Sequence, residues 1–283
     1  PEIKSGLYLV SLPVGCLSDI SFRALHMLSN SDYVAGEDTR NVRALFKLLK
    51  ISKSIKSIIS YHDHSSSHTR GKIIDLIRQG KSVALVSDAG TPLISDPGYK
   101  LVKAVIQEGF EVFSVPGPSS VIAALTVSGL PTDTFSFLGF LPYTKSKKKK
   151  LLETYLNLGS SLIIFESGKR LQKTLELLAE TCRPSTEICI CRELTKLNEE
   201  VTRFEAEEGT KVTKKMRSSK GEFVIVVGKN EAGDFDLKNL DEQLRKIKKS
   251  MSMKDSVDFL AEKLNIPKKI IYKKALTIFK DNN

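Results

Sequence analysis

The stretch VALVSDAGTPLISDPG, residues 83–98, decides how this chain is read. Val83-Ala84-Leu85-Val86 is a short continuous apolar run, the pattern of a strand buried on both faces. It passes into a segment dense in turn formers that carries Asp88, Gly90, Thr91, Pro92 and Asp96. Asp96 is placed to cap the next helix, and Pro97 suits a first helical turn, where a missing N–H costs little. Gly109 stops that helix. A buried strand, a long polar turn and a helix form the repeating unit of a parallel α/β sheet.

The same alternation runs outward on both sides. A strand at 7–10 runs into Pro13-Val14-Gly15, and Ser18 or Asp19 starts a helix with Phe22, Leu25, Met27 and Leu28 on its apolar face. Tyr33-Val34-Ala35 precedes Gly36-Glu37-Asp38-Thr39-Arg40, after which Val42, Leu45, Phe46, Leu48 and Leu49 recur at helical spacing. A third strand at 58–61 leads through a His- and Ser-rich loop to a helix marked by Ile73, Ile74 and Ile77. The strand at 112–115 closes on Pro116-Gly117-Pro118-Ser119, and Ser119 caps a helix running to about Val127. From Phe135 the pattern changes: a strand at 135–141, a charge run at 145–150 read as a solvated loop, and a helix at 151–158. Strands at 162–165, 188–191 and 223–227, with a helix near 171–179, indicate a second α/β domain. A polar break at 231–236 precedes a Lys-rich tail read as helix, Asn-Ile-Pro turn, helix, with Val257, Leu260, Ala261 and Leu264 packing on Ile271, Ala275 and Ile278. The expected domains are 1–117, 118–232 and 233–283.

Composition narrows the function classes. At 41% hydrophobic over 283 residues the chain has material for real cores, which excludes general disorder. No apolar run reaches the ~18–20 residues of a membrane span, so no membrane role is expected. The opening residues show no secretory pattern, and four cysteines without a Cys-x-x-Cys pair fit a reducing, cytoplasmic setting. His62, His64 and His68 lie in a polar loop without matching carboxylates, so no metal is expected. A net charge of +11 favours a polyanionic partner. Neither a G-x-x-x-x-G-K-[ST] nor a G-x-G-x-x-G motif is present, which removes the main support for NTPase and dinucleotide functions.

In an open parallel sheet, ligands bind beyond the carboxyl ends of the strands. The turns after three such strands, at 13–15, 87–92 and 116–120, are rich in Gly, Pro and Ser. Such turns let a ligand approach backbone N–H groups; the plain alternative is that they only reverse the chain. The Lys145–Lys150 run between Tyr143 and Tyr155 fits a nucleic-acid backbone as well as it fits a solvated surface, which makes Lys147 and Lys148 candidate nucleic-acid contacts. Cys189 and Cys191 alternate on one strand and read as small core residues.

Five ordered segments carry a resemblance: LYLVSLPVGCLSDIS from residue 7, GEDTR at 36–40, VALVSDAGTPLISDPG at 83–98, SVPGPSSVIAAL from 114 and RELTKLNEE from 192. Over residues 7 to about 228 the chain resembles the bacterial ribosomal RNA small subunit methyltransferase I family, of the tetrapyrrole methylase fold. The resemblance implies an α/β, two-domain tetrapyrrole-methylase-like fold with a small C-terminal helix-turn-helix-like module. It implies a homodimeric enzyme that uses S-adenosyl-L-methionine to methylate a cytidine ribose 2′-oxygen in the decoding region of 16S rRNA within the small ribosomal subunit. Motif by motif it implies cofactor contacts from Pro13, Gly15, Asp88, Ala89, Gly90, Thr91, Ile94, Ser119, Ser120, Glu166 and Leu194. The cofactor would then lie between the two domains.

For the chemistry, Glu37 or Asp38 is a candidate base, and Arg40, Lys169 and Arg192 are candidate stabilisers or phosphate clamps. A structural cap network is the alternative for 37–40. Arg170 and the tail lysines Lys268, Lys269, Lys273 and Lys274 complete the expected RNA-binding set; a solubilising or packing role is the tail's alternative. The chain departs from the family at Cys16, where an Asn is usual, at Gly168-Lys169, where Pro-His is usual, and in its His62-Asp63-His64-Ser65 loop. Two rivals remain at this level: methylation of a tetrapyrrole or other small molecule, and a non-catalytic ribosome-assembly factor.

Overall fold

Val83–Val86 forms most of a strand buried at every position, and a parallel sheet is built around it. In the computed structural model, which describes residues 3–52, 57–62, 67–229, 237–248, 250–264 and 268–280, this sheet comprises β1 (Gly6–Val10), β2 (Tyr33–Gly36), β3 (Ile58–Ser60), β4 (Ser82–Val86) and β5 (Val112–Val115). Their order is β3-β2-β4-β1-β5, all parallel. Helices α1 (Phe22–Asn30) and α2 (Thr39–Leu48) cover one face through Ala24, Met27, Leu28, Val42 and Phe46. On the other face α3 (Ser67–Arg78) and α4 (Tyr99–Gln107) pack through Ile73, Ile77, Leu101 and Val105.

The second sheet is mixed. After α5 (Ser120–Ser128) come β6 (Phe135–Phe140), α6 (Lys145–Leu156), β7 (Ser161–Ser167), α7 (Gly168–Thr181), β8 (Glu187–Arg192), β9 (Glu200–Glu205), α8 (Gly209–Lys215) and β10 (Glu222–Val227). The order is β6-β7-β10-β8-β9, parallel only between β6 and β7. Val121, Ala124 and Leu125 of α5 pack on one face, while Leu152 of α6 and Leu171, Leu175 and Leu178 of α7 fill the other. Both sheets belong to one compact unit, Pro1–Asn230.

The second unit, Glu231–Asn283, is a three-helix module of α9 (Leu237–Ile247), α10 (Met253–Leu264) and α11 (Lys268–Lys280). Val257 and Leu260 meet Ile271, Ala275 and Ile278 as the apolar spacing requires. The sequence reading missed the partner that completes this core: α9 contributes Leu240 and Leu244. The Asn265–Pro267 turn and the Leu264 side chain lie outside the described residues. No helix among the described residues is long and apolar enough to cross a membrane.

Several local expectations are corrected. Helix α1 is capped by Ser21, whose Oγ accepts from the Ala24 N–H at 3.0 Å, and residues 17–19 form a separate 3-10 turn. Phe22, first in the helix, is therefore 92% exposed rather than in the core. Asp96 caps nothing: α4 starts two residues later than such a cap would give, behind Gly98, whose φ of 135° only glycine takes easily. The charge run 145–150 is not a loop but the start of α6: Lys148, one turn before Leu152 and two before Leu156, continues their buried face. Strand β9, EVTRFE, lacks an apolar run because it is an edge strand paired on one side with β8.

Gly168 starts α7 under the 218–221 segment. A Cβ there would lie 2.0 Å from the Ser219 carbonyl oxygen, a backbone atom with no side chain to move aside. Gly168→Ala is expected to cost about 1–3 kcal/mol, as overpacking does, and to lower the thermal midpoint by several degrees; a melt unchanged from wild type would show that the 218–221 segment yields freely.

Candidate functional site

A cavity of about 380 Å³ opens beyond the carboxyl ends of the first sheet, walled on its far side by the second. That size lies within the ~300–1,000 Å³ range of small-molecule clefts. The first sheet contributes Val14 from the loop after β1, residues 88–91 and 94–96 from the loop after β4, and Ser119 and Ser120 at the start of α5. The second contributes Phe140 from the end of β6, residues 165–167 from β7, Cys191 and Leu194 from the end of β8 and beyond, and residues 221–224 at the start of β10.

The three loops of the first sheet are locked to one another. Leu12 N–H donates to the Gly90 carbonyl at 2.8 Å and Gly90 N–H returns the bond to Leu12 at 3.1 Å, an isolated antiparallel bridge. Thr91 Oγ1 donates to the Pro118 carbonyl at 2.9 Å and accepts from Ser11 Oγ at 3.2 Å. One threonine thus joins the turns after β1, β4 and β5. Ser119 occupies the cap position of α5, but its side chain makes no capping bond.

Two loops carry matched strain. Leu93 and Ser95 have φ of 72° and 64°, and Glu193 and Thr195 have φ of 49° and 61°. Each pair flanks one apolar residue that lines the cavity, Ile94 in the first case and Leu194 in the second. Non-glycine residues pay about 1–2 kcal/mol for this conformation, so the rest of the fold holds both side chains at the cavity wall against a local cost.

The charged groups at the wall divide by their partners. Glu166 is 1% exposed and fully engaged: it accepts from the Ser167 N–H at 2.9 Å and Thr174 Oγ1 at 2.6 Å, and pairs with Arg170 Nε at 3.1 Å. Asp88 accepts from the Asn41 amide at 2.9 Å. Lys196 Nζ bridges Glu193 at 3.3 Å and Glu222 at 2.8 Å. Burial pushes the Asp96 carboxyl up to about 6; a bond with Ser87 opposes this, and the negative Glu37, Asp88 and Glu222 add to it.

The residues singled out from sequence fare differently. Asp88, Ala89, Gly90, Thr91, Ile94, Ser119, Ser120, Glu166 and Leu194 all line this cavity. Pro13 and Gly15 instead line a smaller cavity of about 190 Å³ beside it, with Asn41; Asp88 borders both. Gly15 is where the two sheets' loops meet: a Cβ there would lie 2.4 Å from Lys196 Cγ and 3.0 Å from the Leu194 carbonyl. The adjacent Cys16 N–H donates to Thr195 Oγ1 at 3.1 Å.

Asp38 is corrected as a candidate base. It caps α2, accepting from the Arg40 N–H at 2.8 Å, and the Arg40 guanidinium lies on it at 2.6 Å. Those bonds hold its carboxyl down at about 2, too acidic to take a proton near neutrality. Arg40, 86% exposed, is Asp38's partner, so the cap reading applies to this pair. Glu37 remains close enough to Asp96 to act on its charge.

Three of the expected RNA contacts are also corrected. Lys148 is buried: the turn of α6 that carries it faces α7, and its Nζ donates to Thr174 Oγ1 at 3.2 Å. Arg192 is buried and donates to the Lys220 carbonyl at 2.8 Å and the Asn198 carbonyl at 3.0 Å. Arg170 joins Glu166 to the Leu141 carbonyl and lies 4.8 Å from the Tyr143 ring centre. Lys147, Lys169 and Lys273 are exposed. Lys268 pairs with Asp258 at 2.7 Å and Lys274 with Asp241 at 3.1 Å. The Lys269 side chain and His64 lie outside the described residues, among which no His, Cys, Asp and Glu group suited to a metal occurs. Sequence reading missed Asp96, Phe140, Phe165 and Glu222 as cavity residues; a place at a strand end was the one signal available for the last three.

Residues 6–209 match the family model of Tetrapyrrole (Corrin/Porphyrin) Methylases. The chain is 41% identical over 279 residues to the ribosomal RNA small subunit methyltransferase I of Rickettsia prowazekii, covering 99% of this chain and 93% of that protein. It is 37% identical to the protein of the same name from Bacillus subtilis, covering 94% and 92%. In fold it is similar to uroporphyrin-III C-methyl transferase from Thermus thermophilus, solved with S-adenyl homocysteine, at a TM-score of 0.55 and 17% identity, covering 80% of this chain and 98% of that one.

Gly15→Ala is expected to push the 13–16 turn off the 193–196 loop and to weaken binding of S-adenosylhomocysteine by calorimetry about tenfold or more, equivalent to ~1.4 kcal/mol. Unchanged affinity would show that the meeting of these loops does not shape the cavity.

Proposed function

Because the chain belongs to the ribosomal RNA small subunit methyltransferase I family, within the tetrapyrrole methylases, we propose that it methylates the ribose 2′-oxygen of a cytidine in the decoding region of small-subunit rRNA. The methyl donor is S-adenosylmethionine. The observation that carries this reading is the make-up of the larger cavity. Ile94, Leu194, Phe140 and Phe165 offer apolar walls for a nucleoside base, while Ser119 and Ser120 offer hydroxyls at the open start of α5. Asp88 brings negative charge suited to the donor's cationic end. Apolar walls with a few convergent polar groups are what a nucleoside cofactor needs.

When bound, S-adenosylmethionine supplies a methyl already activated on a sulfonium. The protein's task is therefore positioning and electrostatics. The loops joined at Thr91 would hold the donor's contacts in fixed relation, and the strained loops would present Ile94 and Leu194 to it. The excess of positive charge draws the polyanionic acceptor. Among the described residues, exposed Lys147 and Lys169 in the first unit and Lys273 on α11 lack the structural pairings that occupy Lys148 and Arg192. The active form is a homodimer, whose contact would cover exposed apolar side chains such as Ile122, Val127 and Phe135.

Mass spectrometry of small-subunit rRNA nucleosides, with and without the protein, tests the reading. A 2′-O-methylcytidine present only with active protein is the expected result. Methylation of a porphyrin precursor with no methylation of small subunits would replace it with a small-molecule function.

A further inference from the structure

A ribose hydroxyl is a poor nucleophile at neutral pH, so its proton must pass to a base as the new bond forms. Most carboxylates around the cavity are committed. Asp38 caps α2 under Arg40. Glu166 is held by Ser167, Thr174 and Arg170. Glu193 accepts from the Glu222 N–H at 2.9 Å, and Glu193 and Glu222 share Lys196. Asp88 accepts from Asn41.

Asp96 differs. It lines the cavity, and among the described residues no cation pairs with it; its neighbour is the neutral Ser87 hydroxyl just after β4, which donates to the Ala89 carbonyl at 2.9 Å. Its backbone is fixed by the left-handed Ser95 before it and by Gly98 two residues after it, packed against Leu93 and Leu85. Building on the methyltransferase reading above, we propose that Asp96 is the general base, its carboxylate taking the 2′-hydroxyl proton. The ribose oxygen–methyl bond forms as the methyl–sulfur bond breaks, and S-adenosylhomocysteine leaves as a neutral thioether, so charge and atoms balance.

The surroundings suit the role. Glu37 after β2, Asp88 after β4 and Glu222 at the start of β10 face Asp96 with negative charge, and the nearby cation at the wall, Lys196, is shared between Glu193 and Glu222. Burial first, and these charges with it, raise Asp96 to about 6 against the lowering influence of the Ser87 hydroxyl. A base titrating just below working pH combines an ionised form with useful basicity. The sign is fixed: below about 6 the carboxyl is protonated and cannot accept, so the rate rises as pH passes upward through that value.

The test compares full-length wild type, Asp96→Asn and Asp96→Glu on undermethylated small subunits in single-turnover assays from about pH 5 to about pH 8, with calorimetry of S-adenosylhomocysteine binding. Carboxyl-carbon NMR titration of the free wild-type protein and the two variants accompanies it. The expected result is a rate at least ~100-fold lower in Asp96→Asn, the scale of a lost general base, with S-adenosylhomocysteine affinity within about threefold of wild type. Asp96→Glu restores at least about tenfold of that loss, the wild-type rate falls on the acid side, and a carboxyl titrating near 6 is absent from Asp96→Asn. A rate in Asp96→Asn within about threefold of wild type overturns the proposal, as does a parallel loss of cofactor affinity, which makes Asp96 a cofactor ligand. The wild-type pH profile and titration judge it even if a variant does not fold: no acid limb and no carboxyl near 6 overturn it. Wild type that binds S-adenosylhomocysteine but methylates no small-subunit RNA overturns the function reading as well; an active wild type with an unimpaired Asp96→Asn overturns this inference alone.

Discussion

Leu12 and Gly90 exchange a pair of backbone hydrogen bonds across two loops, and Thr91 beside them bonds to Ser11 and to the Pro118 carbonyl. Without this junction the turns after β1, β4 and β5 would be three independent surface loops. With it they form one rigid rim at the carboxyl end of the sheet. Every candidate ligand contact from the first sheet hangs on that rim, including Asp88, Ile94, Asp96 and the start of α5. A rim held by backbone bonds and one short side chain keeps these loops in register at the cavity mouth.

The rim has a counterpart on the second sheet. The 193–196 loop repeats the arrangement of 93–95: two left-handed residues around one inward apolar side chain. The conformational cost of those four residues is offset elsewhere. The 193–196 loop is held by Glu193 accepting from the Glu222 N–H, by Thr195 accepting from Cys16 and by Glu199 accepting from the Thr195 N–H. Deeper still, Glu166, Arg170, Thr174 and Lys148 form a buried polar cluster behind the cavity wall. Burial draws the Lys148 ammonium below its ordinary value even though Glu166 opposes it. Breaking such a cluster leaves a charge without water or partner, which costs far more than the pair is worth intact.

Much of this was legible in the order of residues. The buried run 83–86 marked the central strand, the strand–helix alternation marked a parallel sheet, and the Gly-, Pro- and Ser-rich turns marked the edge where ligands bind. Apolar spacing in the tail placed Val257 and Leu260 against Ile271, Ala275 and Ile278. These readings succeed because periodicity and turn chemistry are local, and burial acts on each element through its own pattern.

What only the tertiary structure decided is which charges are free. Lys148 and Lys147 are neighbours in one basic run, yet one is buried against Thr174 and the other is exposed, because the helix turns about 100° per residue. Asp38 looks like a base and is a cap; Asp96 looks like a cap and lines the cavity with a raised pKa. Sequence fixes that a carboxylate is present and roughly which turn carries it. Its proton affinity depends on burial and on charges brought in from β2, β4 and β10, and those distances exist only once the two sheets have closed around the cavity.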